Sequence, residues 1–381
     1  MDRNSPLSIA AATFLSIVGV FALMTMPIVI SIYSQVLGFD SQQGGTIMIA
    51  EVAGGALASV LAIFWINRLN WRVAIAIALT CIVAGNILVT LQTDSNLIAV
   101  IRLVVGFIGQ GTAFAVGISM IGNTSDPDRN FGFVISSQVA FGVLALASMP
   151  FLVEKFGSLG GMYFPLAGLA AVGFLFLKYI PDGPAPHEAH EGAVKPASLA
   201  LPVTSLIAML IWCCGLGAMW GFVVVIGIEG GMTLQTAGFS ISVSSAVAIT
   251  GSLVAATLAG KGVNRFLPVT IALLVQITVA WFIQGEMNFA ELVIKASIFQ
   301  IFWNLTGPFF MGAIAASDSG GKVSVLIPAA QTTGFFIGPA IVEAFKGDYG
   351  LLAVNYVTMA CMLVALVIFI PLSARLKAAG Y

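Results

Sequence analysis

Long apolar runs, broken at regular intervals by short polar or charged clusters, dominate this chain. Most runs reach about 20 residues, and at 1.5 Å per residue a helix of that length crosses a bilayer. The pattern predicts twelve spans, beginning near Leu7, Gln43, Val73, Asn96, Phe131, Ser158, Pro202, Thr236, Leu267, Ala290, Val323 and Tyr349. Several are rich in Gly, Ala and Ser, as packed membrane helices tend to be. The polar breaks are short except for residues 181–200, PDGPAPHEAHEGAVKPASLA, whose composition is that of a linker. The expectation is an all-α membrane protein: a six-helix bundle over 1–180, a cytoplasmic linker over 181–200 and a second six-helix bundle over 201–381. The first run is expected to be a span and not a cleaved leader. Asp2 and Arg3 cancel, the run is too long, and no small-residue cleavage site comes after it.

Composition narrows the class further. Hydrophobic residues make up 59% of the chain and charged residues 8%, far too few charges for the surface of a soluble domain. The net charge of −1 says nothing about nucleic acid, but there is no basic cluster to bind it, and none is expected as a partner. Cys81, Cys213, Cys214 and Cys361 all lie in apolar runs, in neither a disulfide nor a metal spacing. His187 and His190, beside Glu188 and Glu191, sit in the linker, where no preformed metal geometry is expected. No nucleotide-binding motif is present, so neither ATP hydrolysis nor a cofactor is expected. A membrane-embedded enzyme would need clustered His, Asp or Ser groups, and both histidines are in the linker. The chain is therefore read as no enzyme.

Placing the N-terminus in the cytoplasm puts Arg3, Arg68, Arg72, Arg129, Lys178, Lys195, Lys261, Arg265, Lys322, Arg375 and Lys377 inside, and only Lys155 and Lys346 outside. This is a strong positive-inside bias. The expected location is a cell membrane, the bacterial inner membrane, with both termini cytoplasmic and the chain a monomer. The halves also repeat. Arg102 and Lys295 are 193 positions apart, as are Arg129 and Lys322, and Gln138 and Gln331. Asn67-Arg68 answers Asn264-Arg265 at an offset of 197. Duplicated six-helix units suit a mechanism in which one half rocks against the other around a central site.

These features resemble the Major Facilitator Superfamily. Its loop between helices 2 and 3 usually carries a glycine, an acid and several basic residues. The matching stretch, Ile63 to Arg72, keeps the basic positions Arg68 and Arg72 and has Asn67 in place of the acid. The copy after span 8, Gly260-Lys261-Gly262-Val263-Asn264-Arg265, keeps its first glycine. Arg102-Leu103-Val104-Val105-Gly106-Phe107-Ile108-Gly109-Gln110-Gly111 is similar to the family's helix 4, and Leu37 to Gly44 to the approach to helix 2. The resemblance implies two six-helix halves working by alternating access. The Gly-Pro motif that drug–proton antiporters tend to carry in helix 5 is absent. That span offers only Gly142 and Pro150, while Gly334-x-x-x-Gly338-Pro339 falls in span 11.

Three ionisable residues fall well inside spans: Glu51, Arg102 and Lys295. Such groups are costly in a bilayer and mark pathways or relays. Counting 1.5 Å per residue from the start of each span, they lie about 8–12 Å below the outer surface. On a regular helix Gly106, Gly109 and Ala113 share the Arg102 face, so Arg102 is expected to look over a shallow strip. Spans 4 and 10 line the cavity in the family that the chain resembles. Arg102 and Lys295 would then face each other there and bind an anionic group. The simpler alternatives are glycines that only let a neighbouring helix come close, an Arg102–Glu51 pair that only braces spans 2 and 4, and a Lys295–Glu291 pair one turn apart.

Phe299, Phe302 and Thr306 share the Lys295 face. Tyr33, Gln138, Trp220, Trp303, Asn304 and Gln331 are further cavity candidates. A carboxyl in a poorly hydrated site binds and releases protons near neutral pH, which points to Glu51 for proton coupling. Asn67, Arg68, Asp126 and Arg129, with Asn264, Arg265, Asp318 and Lys322, are expected to latch the halves at the inner side. The sequence thus predicts a secondary transporter of a small organic anion, coupled to protons, with that solute, protons and the bilayer as its partners. The alternatives are an exporter of amphipathic drugs or lysolipids by proton antiport and a non-transporting receptor on the same fold.

Overall fold

The computed structural model of the protein describes residues 3–66, 68–124, 127–183, 200–260, 265–318, 323 and 326–378. Twelve helical rods run through these residues. The first six are α1 (Pro6–Leu37), α2 (Ser41–Trp65), α3 (Trp71–Val89), α4 (Ser95–Gly122), α5 (Pro127–Phe156) and α6 (Gly160–Tyr179). The second six are α7 (Ala200–Glu229), α8 (Leu234–Gly260), α9 (Phe266–Phe282), α10 (Phe289–Ser317), α11 (Ile327–Tyr349) and α12 (Leu352–Ala378). Among the described residues nine of these are long and apolar enough to cross a membrane; α9 is a shorter apolar helix, and α10 and α11 run for 29 and 23 residues.

Local chemistry sets the boundaries. Ser5 caps α1, with Pro6 at the first turn, where its missing N–H is harmless. Asp40 and Gln43 form a reciprocal capping box at the start of α2. Asp94 caps α4 by accepting from the Leu97 N–H at 2.8 Å. Tyr349, expected to open the last span, instead ends α11. Gly350 stops the helix with φ +56°, a conformation that favours glycine. The eleventh span likewise begins at Ile327 and not near Val323, with Pro328 in its first turn.

α1 and α7 are the most enclosed rods, 78% and 83% buried over their apolar windows, against 33% for α5 and 39% for α3. They form the centre. The outside is apolar: Leu91, Leu144 and Leu175 are about 70% exposed, as contact with lipid requires. Within the first half α1 packs on α4, α2 on α4 and α3 on α6; within the second, α7 packs on α11 and α12, and α8 and α9 on α10. The halves meet along α2 with α11, α5 with α8 and α1 with α7. Close backbone approach needs glycine at several crossings. A Cβ on Gly19 would lie 2.6 Å from the Phe114 backbone nitrogen, at the α1–α4 contact.

Candidate functional site

The sequence places Glu51, Arg102, Asn86 and Gln110 in three apolar helices, and packing brings all four together. Arg102 donates from Nε to Glu51 Oε2 at 2.9 Å and from Nη2 to Glu51 Oε1. Its Nη1 donates to Asn86 Oδ1 at 2.6 Å, and Gln110 Nε2 donates to Glu51 Oε1 at 2.8 Å. The Tyr163 ring lies 4.7 Å from the guanidinium carbon, and its hydroxyl shares a 2.7 Å hydrogen bond with that of Tyr33. Arg102 is 0% exposed and Glu51 3%. This is a closed network within one half, built by α1, α2, α3, α4 and α6.

The geometry corrects the expectation that Arg102 looks over an open strip toward Lys295. Residues Val105–Gly111 form a π-helical turn, which rotates the later part of α4 away from the i+4 and i+7 positions of a regular helix. The glycine strip is filled. A Cβ on Gly106 would overlap the Glu51 carbonyl oxygen, and one on Gly109 would lie 2.5 Å from Ile82 Cγ1. The arginine therefore points into its own half, among α2, α3 and α6. Tyr33, expected at the cavity wall, is likewise 0% exposed inside this network.

Lys295 is half-buried on α10 and makes no ion pair or hydrogen bond among the described residues. The expected alternative partner, Glu291, instead accepts from the Asn288 N–H at 2.9 Å and caps the start of α10. Phe299 and Gln300 turn into the second half against Met219, Trp220 and Val223. Thr306 donates back to the Phe302 carbonyl of its own helix at 2.8 Å, as isolated threonines in such helices often do. Asn304 donates to the Ala248 carbonyl at 3.1 Å and so belongs to the α8–α10 contact.

Trp220 of α7 links the halves and joins an aromatic cluster of the second half. Trp220 Nε1 donates across to the Leu23 carbonyl at 2.6 Å. Trp220 and Trp303 pack edge to face at 5.4 Å, and Trp303 meets Phe335 at 5.5 Å. Gly221 lets Met26 of the first half come close, within 2.9 Å of where a Cβ would stand. Gln138 and Gln331 are half-buried and make no side-chain hydrogen bond among the described residues. Trp220 and Trp303 are thus brought together, whereas Phe335 was not among the residues singled out in the sequence.

At the end opposite Pro6 and Ala378, a cavity of about 530 Å³ opens between the halves. Ser31, Gln35, Glu154, Glu229, Thr233 and Gln235 line it. Beside it, Lys346 of α11 donates from Nζ to Ser41 Oγ of α2. At the terminal end, Asn67, Asp126, Asn264 and Lys322 lie outside the described residues, as does the side chain of Arg129 and both linker histidines. Arg68 is exposed. Asp318 is 8% exposed and accepts from the Val323 N–H at 2.8 Å, and Arg265 lies beside Gly312 of α10. Arg72, for its part, donates to the Ile180 carbonyl at 2.6 Å and pairs with Asp182 at 3.4 Å, docking the start of α3 on the end of α6. Among the described residues no three His, Cys, Asp or Glu side chains cluster as a metal site would need.

The model of the Major Facilitator Superfamily matches residues 9–339. No curated protein matches the sequence. Among solved structures, a crystal structure of a point mutant of the nucleoside transporter NupG is similar over 96% of this chain and 99% of that one, with a TM-score of 0.66 and 15% identity. That likeness is one of fold.

Proposed function

The chain belongs to the Major Facilitator Superfamily and is a multi-pass secondary transporter, and from that premise we propose that it carries a small organic anion with an apolar body, driven by protons. The observation that carries the reading is the position of α2. One face holds Glu51 against Arg102. Others lie at the second half, with Met48 near Gly221 of α7 and Gly45 against Glu343 of α11. A proton on Glu51 removes the charge that Arg102 grips. It thereby loosens α2 from α4 and is felt where α2 meets the other half. A two-state element biased by a local charge change is how such switches work.

The solute is held at the aromatic contact of Trp220, Trp303 and Phe335, flanked by Gln138 and Gln331. Lys295, half-buried and without an ion pair among the described residues, attracts its anionic group. Arg68, Arg129, Arg265 and Asp318, with Asn67, Asp126, Asn264 and Lys322, latch the terminal side, which faces the cytoplasm of a bacterial cell. The protein acts as a monomer in the inner membrane.

One observation favours a second reading: the side chains at the aromatic contact are uncharged. Indole, phenyl and amide groups suit a neutral, ring-bearing solute as well as an anion. Nucleosides are the natural contrast in a substrate panel. The test is uptake into proteoliposomes of organic anions and nucleosides, with and without a pH gradient. The expected result is gradient-driven accumulation of one anion, lost in Lys295→Ala. Glu51→Gln is expected to exchange solute but not to accumulate it. Uptake of a nucleoside alone, insensitive to Lys295→Ala, replaces the anion with the neutral solute. No uptake of either class removes both readings.

A further inference from the structure

The seam between α2 and α11 contains a carboxylate that the transport reading has not used. Glu343 sits on α11 at the end opposite the chain termini, with its side chain 22% exposed. A Cβ on Gly45 of α2 would stand 2.9 Å from Glu343 Oε1. That oxygen is buried and accepts no hydrogen bond. Lys346, one turn on, is 3.6 Å away, a loose pair, and donates to Ser41 of α2. Its ammonium also lies 5.1 Å from the centre of the Phe222 ring of α7. Lys346 is thus also held by Ser41 and Phe222, on two other helices, while Glu343 Oε1 faces a glycine.

We propose that Glu343 is a second proton-binding residue of the transport cycle, and that its protonation is tied to closure of the α2–α11 seam. The proposal rests on the reading of the chain as a proton-coupled transporter. Proton coupling needs a group whose surroundings change between the two states of the cycle. Glu51, held by Arg102 and Gln110, acts through the α2–α4 contact inside one half. Glu343 lies where the halves separate.

With the seam closed, its oxygen is buried against Gly45 without a hydrogen bond, and this burial disfavours the charge more than the loose pair with Lys346 at 3.6 Å favours it. With the seam open, water reaches the carboxylate. The charged groups around it are Lys346 on its own helix and Asp40 at the start of α2, while α7 presents the neutral Phe222. By linkage a proton on Glu343 favours the closed seam, and its release accompanies opening. Gly45 is part of the device. A Cβ at that position would push the Glu343 carboxylate aside.

The test reads the seam directly and needs no substrate. Spin labels at Gln42→Cys and Gly347→Cys, both exposed positions, report the α2–α11 distance in the full chain in lipid nanodiscs. Cys81 and Cys361, the two part-exposed cysteines, are replaced by alanine in the background. Electron–electron distance measurements at pH 8 and pH 5.5 should show the shorter distance gaining population in acid. Glu343→Gln should show the short distance at both pH values, and Glu343→Asp should retain the response. A pH response unchanged in Glu343→Gln overturns the proposal, and so does a background distance distribution that is the same at both pH values. Failure of the uptake experiment, by contrast, removes the transport reading and leaves this distance measurement standing by itself.

Discussion

The contacts between α2 and α4 in the first half and between α8 and α10 in the second are built on the same steric plan and different polar chemistry. In each, a glycine lets the backbones meet: a Cβ on Gly54 would overlap the Leu103 carbonyl oxygen, and one on Gly251 the Ile301 carbonyl oxygen. Gly54 and Gly251 are 197 positions apart, the same offset as Asn67 and Asn264. The polar groups diverge. The first half uses the Glu51–Arg102 ion pair with Gln110. The second uses neutral bonds, Ser245 to Gln300 at 2.7 Å and Asn304 to the Ala248 carbonyl at 3.1 Å. At the offset of 197, the counterpart of Glu51 is Ala248. The second copy therefore keeps a cation, Lys295, at the Arg102 position and lacks the acid that would bind it. One duplicated unit holds its charge internally. The other leaves its charge available.

The largest test of this contrast removes one partner of the ion pair. Glu51→Leu strands Arg102 inside the first half, and losing one partner of a buried pair typically costs about 3–5 kcal/mol. The expected outcome is a large drop in thermal unfolding temperature in detergent. The double variant Glu51→Leu/Arg102→Leu should recover a good part of it, because two apolar side chains leave no buried charge. If the double variant is no better than the single one, the pair is not what governs that contact.

Steric equivalence gives the next largest effect. Gly54→Ala and Gly251→Ala each force a methyl group into a carbonyl oxygen of the facing helix. Overpacking of this kind costs about 1–3 kcal/mol. Because both halves have the same crossing, the two variants should lose similar amounts of stability. A marked inequality would mean that the duplicated crossings are not mechanically alike.

The legibility of these features in the sequence obeys the same division. Twelve spans were readable because apolar runs of bilayer length have few other uses, and the repeat was readable because polar residues are scarce enough for a constant offset to stand out. Glu51 and Arg102 were identifiable as a pair, since an acid and a base at similar depth in one half are natural partners. The direction of Arg102 was not readable, because it depends on the π-helical turn at Val105–Gly111, and no residue pattern announces that extra winding. Asn86 carried a usable signal, a lone amide in an otherwise apolar run. Tyr163 carried none, for an aromatic residue in a membrane helix is ordinary until its ring is found over a guanidinium. Glu343 and Lys346 were obscured by a boundary. With the eleventh span begun too early, both fell to the surface end, where charges need no explanation.

The neutral bonds of the second half should matter less. Ser245→Ala removes one hydrogen bond to Gln300, and the net effect of such a bond is about 0.5–1.5 kcal/mol. Unfolding of Ser245→Ala beside Glu51→Leu thus measures the difference between the two polar solutions directly. A loss in Ser245→Ala as large as that of Glu51→Leu would erase the contrast between the halves.

The smallest stability effect is expected at the residue that the comparison makes most consequential for function. Lys295 is half-buried and without an ion pair among the described residues, so Lys295→Met leaves no partner stranded and keeps the aliphatic stem packed. Substitutions of that kind usually stay within about 0.5 kcal/mol. Arg102→Met, at the corresponding position, strands Glu51 and should lose far more. Unfolding of the two variants therefore separates a structural cation from a free one, without reference to any substrate. If Lys295→Met unfolds like the wild type while uptake of the anion is lost, the cation serves the solute and not the fold. If it unfolds as early as Arg102→Met, Lys295 is part of the architecture after all, and the missing acid at Ala248 has been replaced by another partner in the second half.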